Sequence, residues 1–233
     1  MATIIDSIRL CAKTSTPTSH SLYLHPENAK EYLTDAFKCI IGVDELDEPT
    51  LKRIHLVARW LVGDIENAKP SLRLIGAKGL GKTTLAKAIE AVYRGVKQHR
   101  MEELWHKAYN RTAEEEREYR IWEMTPIPII APAMQIVEFY EKSHEEYKKL
   151  QRASILIIDD LGVEPMKLNL YGSERFPLIE LLNYRYDKRA TMKTIITTNL
   201  DSSAIAEIYG DRTEDRLREM CNKIAFSGES YRR

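Results

Sequence analysis

A glycine-rich segment that runs into a lysine and two threonines is the feature of this sequence most suited to chemistry. The segment reads Gly76-Ala77-Lys78-Gly79-Leu80-Gly81-Lys82-Thr83-Thr84. Its first eight residues fit the pattern GxxxxGK[ST] between an apolar run and a helical repeat, which is the context of a phosphate-binding loop. Glycines let backbone N–H groups turn toward phosphate oxygens, and the helix adds the positive end of its dipole. We therefore predict that these nine residues bind ATP, with Lys82 on the β and γ phosphates and the Thr83 hydroxyl on Mg²⁺.

Two consecutive aspartates follow the apolar run ILII at residues 155–158. Such a run is typical of a buried strand, and ligands of open α/β sheets lie at the carboxyl ends of the strands. We predict that Asp159 holds the Mg²⁺ and that Asp160 orients or deprotonates the water that attacks the γ-phosphate. A structural pair is a poor alternative, because two adjacent carboxylates repel one another without a cation.

An asparagine ends the apolar run TIITT at residues 194–198. If this strand neighbours the one that precedes the aspartates, the Asn199 amide can hold the attacking water or the γ-phosphate. A turn-forming asparagine after a strand is nearly as well supported by residue type alone. The loop and the two aspartates favour the functional role.

Two arginines four positions apart, Arg212 and Arg216, lie in the stretch YGDRTEDRLREMC at 209–221. Their spacing places them on one face of a helix, where nearby acidic residues can pair with them. The functional alternative is that an arginine from one subunit stabilises the negative charge of phosphoryl transfer in another.

Five apolar runs supply the strands that must position these side chains. They span 71–76, 127–132, 154–160, 193–199 and 223–226. Helical stretches separate them, and strands alternating with helices predict a mainly parallel sheet. The expected fold class is therefore α/β, with three layers in the order helix, sheet, helix.

Helical patterns outside this alternation suggest further parts. Residues 1–45 read as a small helical N-terminal region suited to partner docking, and 46–233 as the main domain, which opens with a helix over 46–63. Within the main domain, about 97–123 reads as an inserted helical pair. Its second helix starts at the capping-box pattern of Thr112 and Glu115.

Composition limits the classes of function. The chain has 233 residues with 43% hydrophobic content, and its 35 basic and 35 acidic residues cancel. A zero net charge gives no overall attraction to DNA or to acidic membranes, so any nucleic-acid contact must come from a local patch. No apolar run has the length of a membrane helix and no signal peptide is evident, so we expect a cytoplasmic protein.

Together these motifs resemble those of AAA+ ATPases, and more narrowly those of DnaC-type helicase loaders and IstB-type transposition helpers. The resemblance covers roughly residues 50–233. It rests on six stretches: GAKGLGKTTLAKAI, ILIIDDLGVEP, LIELLNYRYDKR, TIITTNLD, YGDRTEDRLREMC and FSGESYRR.

The resemblance implies a P-loop NTPase base domain with a parallel sheet in the order 5-1-4-3-2, and self-association with ATP at the subunit interface. It assigns nucleotide and metal binding to Lys82, Thr83 and Asp159. It places Asn199 at the sensor-1 position and Arg212 at the arginine finger. Arg216 matches the second arginine of that box.

Three departures from the wider AAA+ pattern matter. Asp160 stands where many relatives carry a longer glutamate, so we expect slow hydrolysis, with Glu164 as the first alternative base. Too few residues follow Asn199 for a C-terminal helical lid. The N-terminal region and the insertion match nothing in the family.

The first function that this resemblance implies is a loader that delivers a replicative helicase to single-stranded DNA. The second is a helper that binds duplex DNA and activates a transposase. A small-molecule P-loop kinase is a distant third, because the C-terminal arginine box does not resemble a kinase lid. In the family, helices after the second strand grip DNA, which makes Lys148, Lys149 and Arg152 the candidate contacts.

Overall fold

Seven strands and nine helices occur in the part of the chain that the computed structural model describes, which comprises residues 22–170, 172–228 and 231. The strands are β1 (Ser71–Gly76), β2 (Ile129–Pro132), β3 (Ile155–Leu161), β4 (Leu168–Leu170), β5 (Ser173–Arg175), β6 (Lys193–Thr198) and β7 (Cys221–Phe226). The helices are α1 (Pro26–Ile41), α2 (Glu48–Val62), α3 (Lys82–His106), α4 (Ala113–Met124), α5 (Ala133–Lys142), α6 (His144–Arg152), α7 (Pro177–Asp187), α8 (Ser202–Tyr209) and α9 (Asp211–Met220). Predictions for residues 1–21 lie outside the described residues.

The main sheet has five parallel strands that run across it in the order β7-β1-β6-β3-β2. Counted among themselves, these strands have the order 5-1-4-3-2, which confirms the predicted fold. The two remaining strands form a separate antiparallel hairpin after β3. All five predicted strands are present, with ends that differ by one or two residues.

Helices cover both faces of the sheet. Alternate residues of β3 belong to two different hydrophobic clusters, one on each face of the sheet. Ile155 and Ile157 pack with α1 to α4, whereas Leu156 and Ile158 pack with α5 to α9. This alternation follows from the period of two along a strand. Both faces of β3 are apolar, as expected for a central strand of a parallel sheet covered on both sides.

Helix α1 packs against α2 and α3. It begins after a cap at His25 with Pro26 in its first turn, and it ends at Gly42 in the left-handed region. Leu33 and Phe37 are fully buried, whereas Ile40, near the end of the helix, is exposed. The boundary at residue 45 stays a prediction, because α1 shares its hydrophobic core with the helices that follow.

The helical insertion is a continuation of α3 followed by α4. The structure contains the predicted capping box, in which Thr112 and Glu115 exchange hydrogen bonds of 2.9 and 3.2 Å. Its first helix is not separate, however, because α3 runs without a break through Gly95 to His106. Trp105, near the end of α3, is 65% exposed.

Arg185 of α7 is completely buried and has no carboxylate partner among the described residues. It donates to the carbonyl oxygens of Ala153 at 2.8 Å and Lys193 at 2.6 Å, and to the Thr194 hydroxyl at 2.8 Å. Burial lowers its pKa to about 10. The guanidinium thus joins α7 to the amino ends of β3 and β6.

No described helix has the length and hydrophobicity needed to cross a bilayer.

Lys193, at the start of β6, gives a prediction for stability. Its side chain is buried, 4% exposed, with Nζ 4.7 Å from the centroid of the Trp60 ring, and burial lowers its pKa to about 8. The unfolded chain therefore holds this proton more tightly, so burial destabilises the fold below pH 8, and the free energy of unfolding rises between about pH 8 and 10.5. We expect Lys193→Met to raise stability at pH 7 by about 1–3 kcal/mol, the gain being reduced by the lost ring contact.

Urea unfolding at pH 7 and at pH 9.5 measures this effect. The variant should lose more than half of its advantage at the higher pH, whereas the exposed control Lys52→Met should change little at either pH. A variant less stable than the wild type at pH 7, with the same dependence on pH, would contradict the assignment.

Candidate active site

The glycine-rich loop joins β1 to α3 and packs against two distant segments. A Cβ atom at Gly76 would lie 2.3 Å from the Phe226 carbonyl oxygen at the end of β7. Gly81 has φ +88°, and a Cβ atom there would lie 2.8 Å from the Phe37 ring of α1. Larger residues are therefore excluded at both positions by tertiary contacts as well as by backbone conformation.

The N-terminus of α3 has the properties of an anion site. Its cap residue is Gly81, which has no side chain, and its first turn contains no acidic residue. The first N–H groups of a helix have no partner within the helix, and they carry the positive end of its dipole. These donors fit the phosphates that the loop motif predicts.

Lys82 links the loop to the end of β6. Only 5% of the residue is exposed, and Nζ donates to the Gly76 carbonyl oxygen at 2.6 Å, the Ala77 carbonyl oxygen at 2.7 Å and Asn199 Oδ1 at 2.9 Å. Because β3 and β6 are neighbours, Asn199 lies at the same edge of the sheet as the two aspartates. Residues 117 positions apart therefore meet at one ammonium group.

Asp159 directly follows the four apolar residues of β3. Its Oδ1 atom accepts hydrogen bonds from two hydroxyl groups. Thr83 donates from 2.8 Å and Thr197 from 2.6 Å. A hydroxyl and a carboxylate adjacent to a phosphate site are oxygen ligands of the kind that Mg²⁺ uses. The donor set thus fits this cation, with Thr83 and Asp159 as its protein ligands.

Asp160 lies at an irregularity in β3. Its φ is +56°, the pairing with β6 shifts between Ile158 and Leu161, and its N–H donates to Thr197 Oγ1 at 2.8 Å. No described residue is a hydrogen-bond or ion-pair partner of its carboxylate. Because of this irregularity, the two consecutive aspartates lie in different environments. The Asp159 carboxylate accepts hydrogen bonds from hydroxyl groups, whereas the Asp160 carboxylate has no bonded partner among the described residues.

Glu164, the alternative base, is already engaged. One oxygen accepts from the Gly162 N–H at 2.9 Å and the other accepts from the Tyr209 hydroxyl. The residue is buried. These contacts favour Asp160 over Glu164 as the group that acts on water.

Arg212 and Arg216 both lie on α9, on the predicted helix, but in different surroundings. Arg212 is exposed, and no described residue is its hydrogen-bond or ion-pair partner. Arg216 donates to Asn183 Oδ1 of α7 and lies 4.9 Å from the Tyr186 ring centroid. Only Arg212 is therefore available to another molecule without breaking a contact.

The candidate DNA contacts lie on α6, where two of the three already have partners. Lys148 donates to Gln151 at 2.8 Å, and Lys149 pairs with Glu146 at 2.6 Å and with Glu145 at 3.5 Å. Those glutamates raise the pKa of Lys149. Arg152 is exposed at the end of the helix.

Tyr231, which the sequence patterns did not single out, closes over the loop. Its N–H donates to the Gly79 carbonyl oxygen at 2.9 Å, and its hydroxyl lies 2.7 Å from Thr50 Oγ1 and 2.5 Å from Asp47 Oδ1. Burial and the Asp47 carboxylate raise the pKa of the phenol. The motif FSGESYRR offered a signal for Tyr231 only through the family resemblance.

The sequence patterns also did not single out Thr197, which bonds to both aspartates. A threonine near the end of an apolar strand is a signal that the sequence does contain.

Comparisons with known proteins bear on the family resemblance and on the fold. Residues 134–233 match the family described as IstB-like ATP binding protein. The crystal structure of the DnaC helicase loader matches with a TM-score of 0.52 and 20% identity, over 85% of this chain and 100% of that chain. No curated protein sequence matches.

Two DnaA structures match more distantly. AMPPCP-bound DnaA from Aquifex aeolicus has a TM-score of 0.46 and 14% identity, covering 81% of this chain and 50% of that one. Domain III of the Thermotoga maritima replication initiation protein DnaA has a TM-score of 0.43 and 14% identity, covering 78% and 64%. The family match and the loader fold confirm the predicted resemblance to DnaC-type and IstB-type AAA+ proteins.

Proposed function

We propose that this chain, which carries a DnaC-like and IstB-like AAA+ ATP-binding domain, is an ATPase that switches an assembly on DNA and loads a replicative helicase. The observation that carries the ATPase is the meeting of Lys82, Thr83, Asp159 and Asn199 at one edge of the sheet. These groups come from the loop and from two neighbouring strands. A nucleoside triphosphate with its cation is the ligand that fits a buried ammonium, the N–H groups at the start of a helix and oxygen donors together.

Each residue has a distinct role in the proposed reaction. Loop N–H groups and Lys82 hold the phosphates, and Thr83 with Asp159 holds Mg²⁺, which neutralises phosphate charge when bound. Asp160 takes the proton of the attacking water, while Asn199 orients that water or the γ-phosphate. Arg212 of an adjacent subunit completes the site. Its side chain is available for this role, because it has no partner among the described residues of its own chain.

Asp160→Asn tests the division between binding and hydrolysis. Asparagine tolerates the left-handed conformation at this position, so the backbone should keep its course. An amide is a very poor base, and we expect hydrolysis to fall about 10²–10⁴-fold with ATP affinity changed less than about threefold. Single-turnover hydrolysis and equilibrium ATP binding measure the two quantities. Wild-type hydrolysis by this variant would move the base elsewhere.

Two observations bear on the partner. The structural match of this chain to the DnaC helicase loader covers 100% of the loader chain. Residues 1–45 hold six acidic and four basic residues, which is a poor composition for an N-terminal duplex-DNA clamp. Both favour the helicase loader. The match of residues 134–233 to the IstB-like family instead supports a transposition helper as the second candidate.

Capture of a replicative helicase or of a transposase decides between these candidates. The immobilised chain is offered each protein with ATP and with ADP, and Lys82→Ala serves as the control for dependence on nucleotide. We expect the helicase to be retained with ATP. Retention of the transposase alone would establish the second candidate.

Binding to single-stranded DNA should depend partly on α6. Replacing Lys148, Lys149 and Arg152 with alanine removes at most three phosphate contacts. The slope of log K against the logarithm of the salt concentration should therefore become less steep by at most about 2. The loss should be smaller than for free cations, because Lys149 is paired with two glutamates. An unchanged salt slope would exclude α6.

The matched control replaces Lys30, Lys52 and Arg94 with alanine. These residues lie on α1, α2 and α3, on the opposite side of the sheet, and each is paired with a glutamate. The control removes the same charge, so an equal fall in DNA affinity would mean that charge rather than position is responsible.

A further inference from the structure

A buried carboxylate joins the turn after the two aspartates to the segment that carries Arg212. Glu164 is 7% exposed and Tyr209 is 3% exposed. The carboxylate accepts the Gly162 N–H at 2.9 Å with one oxygen and the Tyr209 hydroxyl with the other. Tyr209 is the last residue of α8, and only Gly210 separates it from α9. The bond therefore spans 45 positions of sequence and ends three residues before Arg212.

Helix α9 has a second attachment one turn further on. Glu214 forms a buried two-point ion pair with Arg73 of β1, in which one of the two bonds measures 2.9 Å. Because α9 ends where β7 begins, at the amino end of the sheet, its first turn points toward the carboxyl edge. Arg212 thus lies between two buried contacts, one to β1 and one to the turn after β3.

The turn itself is packed tightly against the end of β6. Gly162 has φ +106°, and a Cβ atom there would lie 2.5 Å from Leu200 Cδ1. Leu200 directly follows Asn199, and Gly162 is two residues from Asp160. The turn that carries Glu164 and the segment that follows β6 are therefore held together by close packing beside Asn199 and Asp160.

We propose that Glu164 and Tyr209 are positioning residues that set the place of Arg212, the arginine that each subunit presents to the next. This inference rests on the proposed function, in which Arg212 acts on a neighbour's ATP. Burial and the adjacent carboxylate raise the pKa of Tyr209 above its ordinary value, so its hydroxyl is the donor at neutral pH.

Tyr209→Phe tests the proposal, because it removes the hydroxyl and keeps the buried ring. We expect ATP affinity to change less than about threefold and hydrolysis by the DNA-bound assembly to fall about 10–100-fold. Mixed in equal amounts with Lys82→Ala, the variant should regain activity, since its intact sites then meet correctly placed arginines from the other subunit. The matched control is Tyr186→Phe, which removes an exposed tyrosine–carboxylate bond between α7 and Glu219 of α9 and should leave hydrolysis unchanged.

A second variant protects the test against a folding defect. In Glu164→Gln the amide oxygen can accept only one of the two bonds, and the amide NH2 group can donate weakly to the Tyr209 oxygen in place of the charge-assisted bond, so a smaller loss than in Tyr209→Phe and the same recovery with Lys82→Ala are expected. Asp160→Asn mixed with Lys82→Ala should not recover, because neither subunit then has a competent site.

Two outcomes overturn the inference. Full activity of Tyr209→Phe and Glu164→Gln would show that the bond does not position Arg212. Loss without recovery, while Arg212→Ala does recover with Lys82→Ala, would place the defect in the subunit's own site and leave the proposed function intact. If Arg212→Ala itself shows no recovery, the arginine acts within its own chain, and both the proposed trans site and the positioning of Arg212 for a neighbour are wrong.

Discussion

Replacing Lys82 with alanine is expected to weaken ATP binding by at least about 100-fold. The ammonium is the buried cation of the loop, where it contacts two loop carbonyl oxygens and Asn199. Removing one partner of a buried charge pair costs about 2–5 kcal/mol in binding, of which 2.7 kcal/mol corresponds to a factor of 100. Equilibrium titration with ATP measures the loss, and thermal unfolding checks that the fold is retained.

Lys78→Ala is the matched control, because it removes the same charge from the same loop. Lys78 is exposed, and we assign its contribution to its backbone N–H, so affinity should change less than about threefold. Equal losses in the two variants would indicate general electrostatic attraction. An unchanged affinity of Lys82→Ala would show that the loop does not hold the phosphates.

Arg212→Ala is expected to bind ATP normally and to hydrolyse it about 10³-fold more slowly in the assembled state. An arginine supplied in trans contributes 10³–10⁵ in GTPases, and the short side chain of Asp160 favours the lower end here. Arg212 is exposed at the start of α9, and no described residue competes for its guanidinium. Steady-state hydrolysis with DNA and partner present measures the effect.

Mixing and dilution establish that the arginine acts in trans. Equal amounts of Arg212→Ala and Lys82→Ala should recover activity, because an intact loop can then meet an intact arginine across one interface. Wild-type activity per subunit should fall on dilution. The control Arg218→Ala, on the same helix and paired with Asp215, should behave as wild type. Constant activity on dilution without recovery in mixtures would place the complete site within one chain.

Arg216→Ala provides a comparison within the same box. Its guanidinium is bonded to Asn183 and lies over Tyr186 of its own subunit. We therefore expect it to affect the stability of α9 more than the chemistry of a neighbour. This distinction was not available from the spacing of the two arginines, which placed both on one helical face.

Local sequence determined the parts of the fold that depend on neighbouring residues. The apolar runs give the strands, because a strand buried on both faces must be apolar at consecutive positions. The loop motif gives the start of α3, and Thr112 with Glu115 gives the start of α4. These signals operate within a few residues, so they can be read without knowing what packs against them.

The tertiary structure decided what depends on residues far apart in the chain. The conformation of Asp160, the buried charge of Arg185 and the bond between Glu164 and Tyr209 each require partners from another element. The sequence offered Glu164 as a base, and only its two buried hydrogen bonds show it to be engaged elsewhere. Contacts of this kind arise when the sheet brings separate strand ends to one edge, and no local period or spacing in the sequence encodes that meeting.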